Sequence, residues 1–230
     1  MARSVLMALW VLGVLLGTAS GVARAEAPLT DTAAGSLVTM APLTKGRVGM
    51  LLGGGVAVIL PFYEIQVGVG LGRRVDLVGR FESVIGVFHY PSVGVRWSPL
   101  DLGRWKLGLL TSANYSFFGI ATDQVNFTST LYLTFEAGVS GPVTRSTDLV
   151  FSVDNEVDLL HRRSIDRTVE TRGTFHYDAT LLRAGMKTRF TSDLDGFLRA
   201  RVRIPVETFR YQAMNLYVIP SLEIGGAWSF

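Results

Sequence analysis

The chain has 230 residues, 48% of them hydrophobic and only 18% charged, with 25 Gly, 8 Pro and no Cys. That composition excludes a disordered chain, a disulfide scaffold and any cysteine-liganded metal site. The formal charge of +3 gives no concentrated basic face of the kind counterion release requires, so no nucleic-acid partner is expected.

Residues 1–25, MARSVLMALWVLGVLLGTASGVARA, begin with a basic Arg3, run apolar from Val5 to about Gly17, and finish on Ala23-Arg24-Ala25, small residues where a signal peptidase needs them. This is read as a cleaved secretory signal peptide. The apolar run falls short of the ~20 residues that span a bilayer, which argues against an uncleaved anchor. Loss of Arg3 and Arg24 with the leader leaves 20 basic against 19 acidic side chains. Residues 26–45, EAPLTDTAAGSLVTMAPLTK, are rich in Ala, Thr and Pro without a sustained apolar period. They predict a mobile periplasmic tail rather than a plug.

From Gly46 onward no amphipathic helix is legible, whereas period-two alternation recurs between Gly/Pro/Asp/Ser clusters, so residues 46–230 read as all-β. Ten strands are predicted, near 47–60, 63–72, 75–87, 91–98, 104–117, 127–140, 147–160, 175–190, 196–208 and 216–230, with eight as the alternative count. The clearest alternation runs from Phe127, where Leu131, Leu133, Phe135, Ala137 and Val139 share one face and Thr130, Tyr132, Thr134 and Glu136 the other. Residues 46–60 are apolar on both faces and leave the first register unreadable. In residues 176–190 the alternation slips at Leu181-Leu182, and a β-bulge there would restore one polar face.

Alternation alone fits either a soluble sandwich, apolar side inward, or a membrane barrel, apolar side outward. Three features select the barrel. Aromatics gather beside two sets of connections, with Phe62, Tyr115, Phe117 and Tyr177 among those at one end and Trp97, Trp105, Phe197, Trp228 and Phe230 among those at the other, as two membrane interfaces demand. Connections alternate between short (Arg73-Arg74, 99–103, 141–146, 191–195) and longer (119–126, 160–174, 209–215), with Pro61-Phe62 a short exception. The chain ends on an alternating apolar strand, Leu222-Glu223-Ile224-Gly225-Gly226-Ala227-Trp228-Ser229-Phe230. In this the chain resembles the Gram-negative outer-membrane β-barrel proteins, whose last strand ends in Phe as an assembly signal. The resemblance implies a closed antiparallel transmembrane β-barrel in the outer membrane, partnered by membrane lipid, lipopolysaccharide and the barrel-assembly machinery, and monomeric.

Turned inward, the polar faces place Arg80, Glu82, Arg96, Glu136, Asp154, Glu156, Asp158, Arg183, Lys187, Arg199, Arg201, Arg203 and Glu223 in the lumen, together with Glu64 and Lys106. Enclosed charges must be paired or hydrated, so a lateral ion-pair network is expected, with Asp154, Glu156 and Asp158 facing Arg183 and Lys187, and Arg199, Arg201 and Arg203 beside Glu223. Ten strands filled this way leave at best a narrow wet path, far from the roughly 16–18 strands of a diffusion porin. The expected role is structural or surface interaction, with a mostly plugged lumen or a narrow channel for small solutes. One alternative is a barrel hydrolase using His89, His161 or His176 with acids at the outer rim. A periplasmic lipocalin-like binder with its apolar side inward is the other. No catalytic residue, metal ligand or cofactor is assigned; Gly53-Gly54-Gly55 lacks the Gly-Lys-Ser/Thr of a phosphate loop.

Overall fold

A computed structural model describes residues 36–57, 59–72, 74–118, 128–165, 168–205 and 219–230. The leader, residues 26–35 of the expected tail, and the outer connections 119–127 and 206–218 lie outside the described residues.

Ten strands form: β1 (Val48–Ala57), β2 (Leu60–Gly70), β3 (Val75–Val84), β4 (Phe88–Leu102), β5 (Trp105–Phe118), β6 (Thr128–Pro142), β7 (Thr147–Ile165), β8 (Thr168–Arg189), β9 (Leu194–Pro205) and β10 (Ile219–Ser229). Each pairs antiparallel with its sequence neighbours, and β1 pairs with β10 to close the barrel. Short turns at one end, around residues 71–74, 103–104, 143–146 and 190–193, share that end with the start of β1 and the C-terminus of β10.

The alternation seen in sequence becomes an inverted burial pattern. Along β2, Phe62, Glu64, Gln66, Gly68 and Gly70 are buried while Tyr63, Ile65 and Val67 are exposed. Glu64 is 1% exposed and its neighbour Ile65 41%. On β4 the same inversion puts Arg96 inside and Val95 and Trp97 outside. Phe135 is exposed on the wall, whereas Arg201 and Asp154 are enclosed. No solvent-facing soluble fold is built with this polarity, because the exposed apolar wall would face water; the lipocalin-like alternative is overturned.

Several boundaries differ from the sequence expectation. The first outer turn is at Ile59, and Pro61 and Phe62 belong to β2. β4 continues through Pro99 to Leu102 because a register shift between Trp97 and Leu100 takes up the residue that lacks an N–H; the Pro99 carbonyl accepts from Arg74 Nη1 at 2.6 Å. Within residues 160–174, expected as a loop, residues 160–165 and 168–174 belong instead to β7 and β8, whose ladder extends to Ile165 and Thr168. The extra residue on β8 is Asp178, upstream of Leu181-Leu182, since Glu156 faces Ala179 and Val157 faces Tyr177. There the Asp178 carboxylate pairs with Arg203, and Thr180 turns outward to Tyr177 and Asn155.

The largest correction concerns the expected tail. Residues 36–43 are not free; they turn back into the short-turn end of the lumen, with Leu37, Val38, Met40 and Leu43 buried. Leu37, Val38 and Leu43 pack with Leu51, Val78, Phe197 and Ala227. Glycine on the facing strands makes the room. A Cβ at Gly49 would meet Leu37 and Leu43 at 3.2 Å, one at Gly68 Leu37 at 2.6 Å, and one at Gly108 Met40 at 2.9 Å. At the β1–β10 seam, Cβ atoms on Gly55 and Gly225 would strike the Leu222 and Leu52 carbonyl oxygens at 2.0 and 2.1 Å.

The wall's orientation can be tested by position. Phe135→Arg, halfway along β6, is expected to lower folding stability in vesicles by about 2–4 kcal/mol, and Leu100→Arg, at the short-turn rim, by about 0–1 kcal/mol. Urea titration of vesicle-folded protein reads both; equal costs would contradict a lipid-facing wall.

Candidate functional site

The candidate site is the enclosed face, which β-strand geometry assigns to alternate residues of every strand. Its charged groups sort into three levels.

At the short-turn end, Asp76 on β3 and Arg96 on β4 pair through Arg96 Nε to Asp76 Oδ2 at 2.8 Å, both fully enclosed. Together they grip the inserted segment. Arg96 Nη1 donates to the Ser36 and Thr39 carbonyl oxygens at 3.0 and 2.7 Å, and Asp76 Oδ1 accepts from the Leu43 amide at 3.0 Å. Ser98 Oγ donates to the Met40 carbonyl at 2.6 Å, and the Met40 amide donates to Ser140 Oγ at 2.9 Å. The segment's backbone groups therefore find side-chain partners where no ladder is available, which burial requires. Lys187 lies at the same end. It pairs with Asp148 at 2.9 Å and Asp195 at 3.5 Å, not with the 154–158 acids expected from sequence.

The middle level holds two clusters. Arg183 on β8 reaches Glu136 on β6 at 2.6 Å and Asp154 on β7 at 3.1 Å. Arg199 on β9 bonds Glu223 on β10 at 2.7 Å and reaches past β10 and β1 to Glu64 on β2 at 3.2 Å. Arg201 continues that arc to Glu82 on β3 at 2.8 Å, its guanidinium stacked 4.5 Å from the Phe62 ring. Planar guanidinium forks suit such multi-partner enclosure better than ammonium groups. Between this level and the inserted segment lies a cavity of about 40 Å³ lined by Thr39, Gln66, Arg80, Glu136, Ser152 and Arg183.

At the far level, Arg203 pairs with Glu156 at 2.7 Å and with Asp178. Asp158 stands opposite Tyr132 and His176 in the ladder. A neutral cluster of Ser112, Asn114 and Thr134 lines the neighbouring wall of β5 and β6.

Of the rings predicted at the interfaces, Trp97, Tyr115 and Phe230 are exposed on the outer wall, Trp105 covers Gly141 and Trp228 lies by Gly226. Phe117 belongs to an outer ladder in which Tyr63, Phe81, His89, Phe117 and Tyr115 follow one another with centroids 5.2–6.2 Å apart. Tyr177 donates to Asn155 at 2.8 Å. Phe62 and Phe197, placed at the interfaces by sequence, are enclosed instead and act as stacking surfaces for arginines. His89 is in that outer aromatic ladder, His161 Nδ1 is 3.0 Å from Thr130 Oγ1, and the side chain of His176 lies outside the described residues. Among the described residues no three His, Cys, Asp or Glu groups gather as a metal site.

A closed ten-stranded barrel with an apolar outside and an ionised inside is a transmembrane barrel, and bacterial barrels of this kind reside in the outer membrane. No protein-family model and no curated protein matches the sequence. Among solved structures the chain is similar to the KdgM porin, at 8% identity and a TM-score of 0.45 over 79% of this chain and 99% of the porin. It is also similar to an outer membrane channel from Pseudomonas putida F1, at 10% identity and 0.42 over 89% and 100%. A third likeness is to Ail, the attachment invasion locus protein of Yersinia pestis, at 10% identity and 0.39 over 81% and 100%.

Removing one member of an enclosed cluster strands the rest. Arg183→Ala leaves Glu136 and Asp154 uncompensated and is expected to cost about 3–5 kcal/mol, whereas Arg183→Met with Glu136→Leu and Asp154→Leu should recover most of that loss. Unfolding titrations of the single and triple variants provide the comparison.

Proposed function

We propose that the chain is a monomeric outer-membrane barrel with a structural or surface-interaction role, its lumen closed to bulk solutes at rest. The observation that carries this reading is the crossing of the lumen by ion pairs that join strands two or more apart: Arg199 to Glu64, Arg183 to Glu136 and Arg203 to Glu156. Such chords occupy the cross-section that a diffusion pore would leave to water. The inserted segment closes one mouth as well.

The surface role rests on the hairpin at the other end. β7 and β8 have 19 and 22 residues, against the roughly 9–11 that a tilted strand needs to cross a bilayer. The excess projects beyond the membrane and carries exposed Arg162, Thr171 and Arg172. In this reading the wall is bathed by membrane lipid and lipopolysaccharide, and β10 with the Phe230 that follows it engages the assembly machinery.

Membrane fractionation with heat-modifiable gel mobility tests the first half: the protein should run as a compact band unless boiled, and only with the outer membrane. Planar-bilayer recording tests the second. Stable current steps of porin size, or recovery from the soluble periplasmic fraction, would overturn the assignment.

A further inference from the structure

The short-turn end of the barrel carries an unbalanced charge. Arg74 stands in the β2–β3 turn, Arg104 and Lys106 at the β4–β5 turn, Arg145 in the β6–β7 turn, and Lys45 and Arg47 on the approach to β1. Lys45, Arg74, Arg104 and Arg145 are exposed. Two carboxylates stand among these six cations, Asp101 pairing with Lys106 and Asp193 with Arg47. Just inside the mouth the charges cancel, since Asp148 and Asp195 are answered by Lys187 and Arg189. Among the described side chains the rim therefore keeps an excess of positive charge.

The same turns also show apolar side chains to the outside. Leu71 shares its turn with Arg74, Leu100 and Leu102 precede Arg104, Val143 shares its turn with Arg145, and Phe190 opens the β8–β9 turn, all between 41 and 68% exposed. In a turn standing clear in water such groups would stay wet; in the headgroup layer they rest on acyl chains. Trp97 and Phe230, exposed beside them, mark the same depth. From an apolar seat of this kind, Lys and Arg lay their stems along the hydrocarbon and carry the charge up to the phosphates. Arg74 is already aimed, because its Nη1 donates to the Pro99 carbonyl at 2.6 Å, a neutral partner that orients the guanidinium without cancelling its charge. Alternating apolar and cationic groups at interface depth favour a lipid headgroup over an acidic protein or polymer, which would have to be met beyond the membrane surface.

We propose that the short-turn rim binds anionic phospholipid headgroups of the periplasmic leaflet, with Lys45, Arg74 and Arg145 as the phosphate contacts. The inference rests on the reading of the chain as an outer-membrane barrel with its short turns periplasmic. It adds a preference among the lipids that bathe the wall.

The protein carries its own probes. Apart from Trp10 in the leader, the tryptophans are Trp97, Trp105 and Trp228, all at this rim, so their fluorescence samples the lipid beside it. The protein is folded into vesicles of mixed phosphatidylglycerol and phosphatidylcholine, with bromine on the acyl chains of one lipid or the other as a contact quencher. At low salt phosphatidylglycerol should associate with the rim several-fold more strongly than phosphatidylcholine. The preference should fall toward one in ~1 M potassium chloride, where the screening length is about 3 Å. Lys45→Gln with Arg74→Gln and Arg145→Gln should bring it toward one at low salt as well, in a barrel that still runs as a heat-modifiable band. Should the triple variant fail to fold, the salt titration of the unsubstituted protein carries the test. Equal quenching by the two lipids at low salt, or a preference that neither salt nor the substitutions reduce, would end the proposal while leaving the barrel in its membrane. Equal quenching together with salt-sensitive retention on purified peptidoglycan would give the rim to an acidic polymer and end it likewise. Quenching by neither lipid would instead sink the placement of this rim at the membrane.

Discussion

The structure depends on one constraint: its ionised side chains have been given to each other so that its apolar ones can be given to lipid. In water the hydrophobic effect turns apolar residues inward. In a bilayer that drive vanishes for the outer wall, and what must be managed is the cost of enclosing charge. The barrel meets it with arginines that each serve two carboxylates. Arg183 holds Glu136 and Asp154, Arg199 holds Glu64 and Glu223, and Arg203 holds Glu156 and Asp178. Because one bond of each arginine reaches past the adjacent strand, to Glu136, Glu64 and Glu156, these pairs act as cross-braces as well as neutralisers. The same contacts that make the interior tolerable also make it crowded.

The inserted segment follows different physics. It brings no charge, and its burial rests on backbone hydrogen bonds and on apolar side chains set against glycine. Each such backbone bond contributes about 0.5–1.5 kcal/mol net and each apolar side chain it buries, Val38 and Leu43 among them, about 1.5–3 kcal/mol, so the seat as a whole is comparable with the several kcal/mol at stake in an enclosed ion cluster. The lumen is therefore built of two parts held by different forces: a middle braced by ion pairs and an end packed with apolar side chains.

Much of this was legible in the sequence. Period-two alternation located all ten strands, since one face of each had to differ from the other, and the aromatic clusters together with the final Phe230 chose the outward orientation. Arg199 beside Glu223 was visible as neighbouring polar faces. The inserted segment was not. A short run of small and apolar residues has no period of its own, and its signal lies in Gly49, Gly68 and Gly108, which line up only once register is known. The same blindness explains β1. Its enclosed face is apolar because Leu51 packs against Leu37, Val38 and Leu43, which erased the contrast from which register is read. Lys187 was paired wrongly because adjacency of strands says nothing of height along them; its true partners Asp148 and Asp195 lie nearer the turns. Phe62 and Phe197 were misplaced because stacking beneath a guanidinium leaves no trace in spacing.

Chain termini are ordinarily the most forgiving places in a protein. Here the first and last strands meet through Gly53, Gly55 and Gly225, where even a methyl group would drive into Glu223 or into a carbonyl oxygen of the opposite strand. At the join, wall and interior therefore answer to one another: an alanine at Gly55 would press on the Leu222 carbonyl oxygen and push the two strands apart, whereas one at Gly53 would displace the Glu223 carboxylate that braces Arg199.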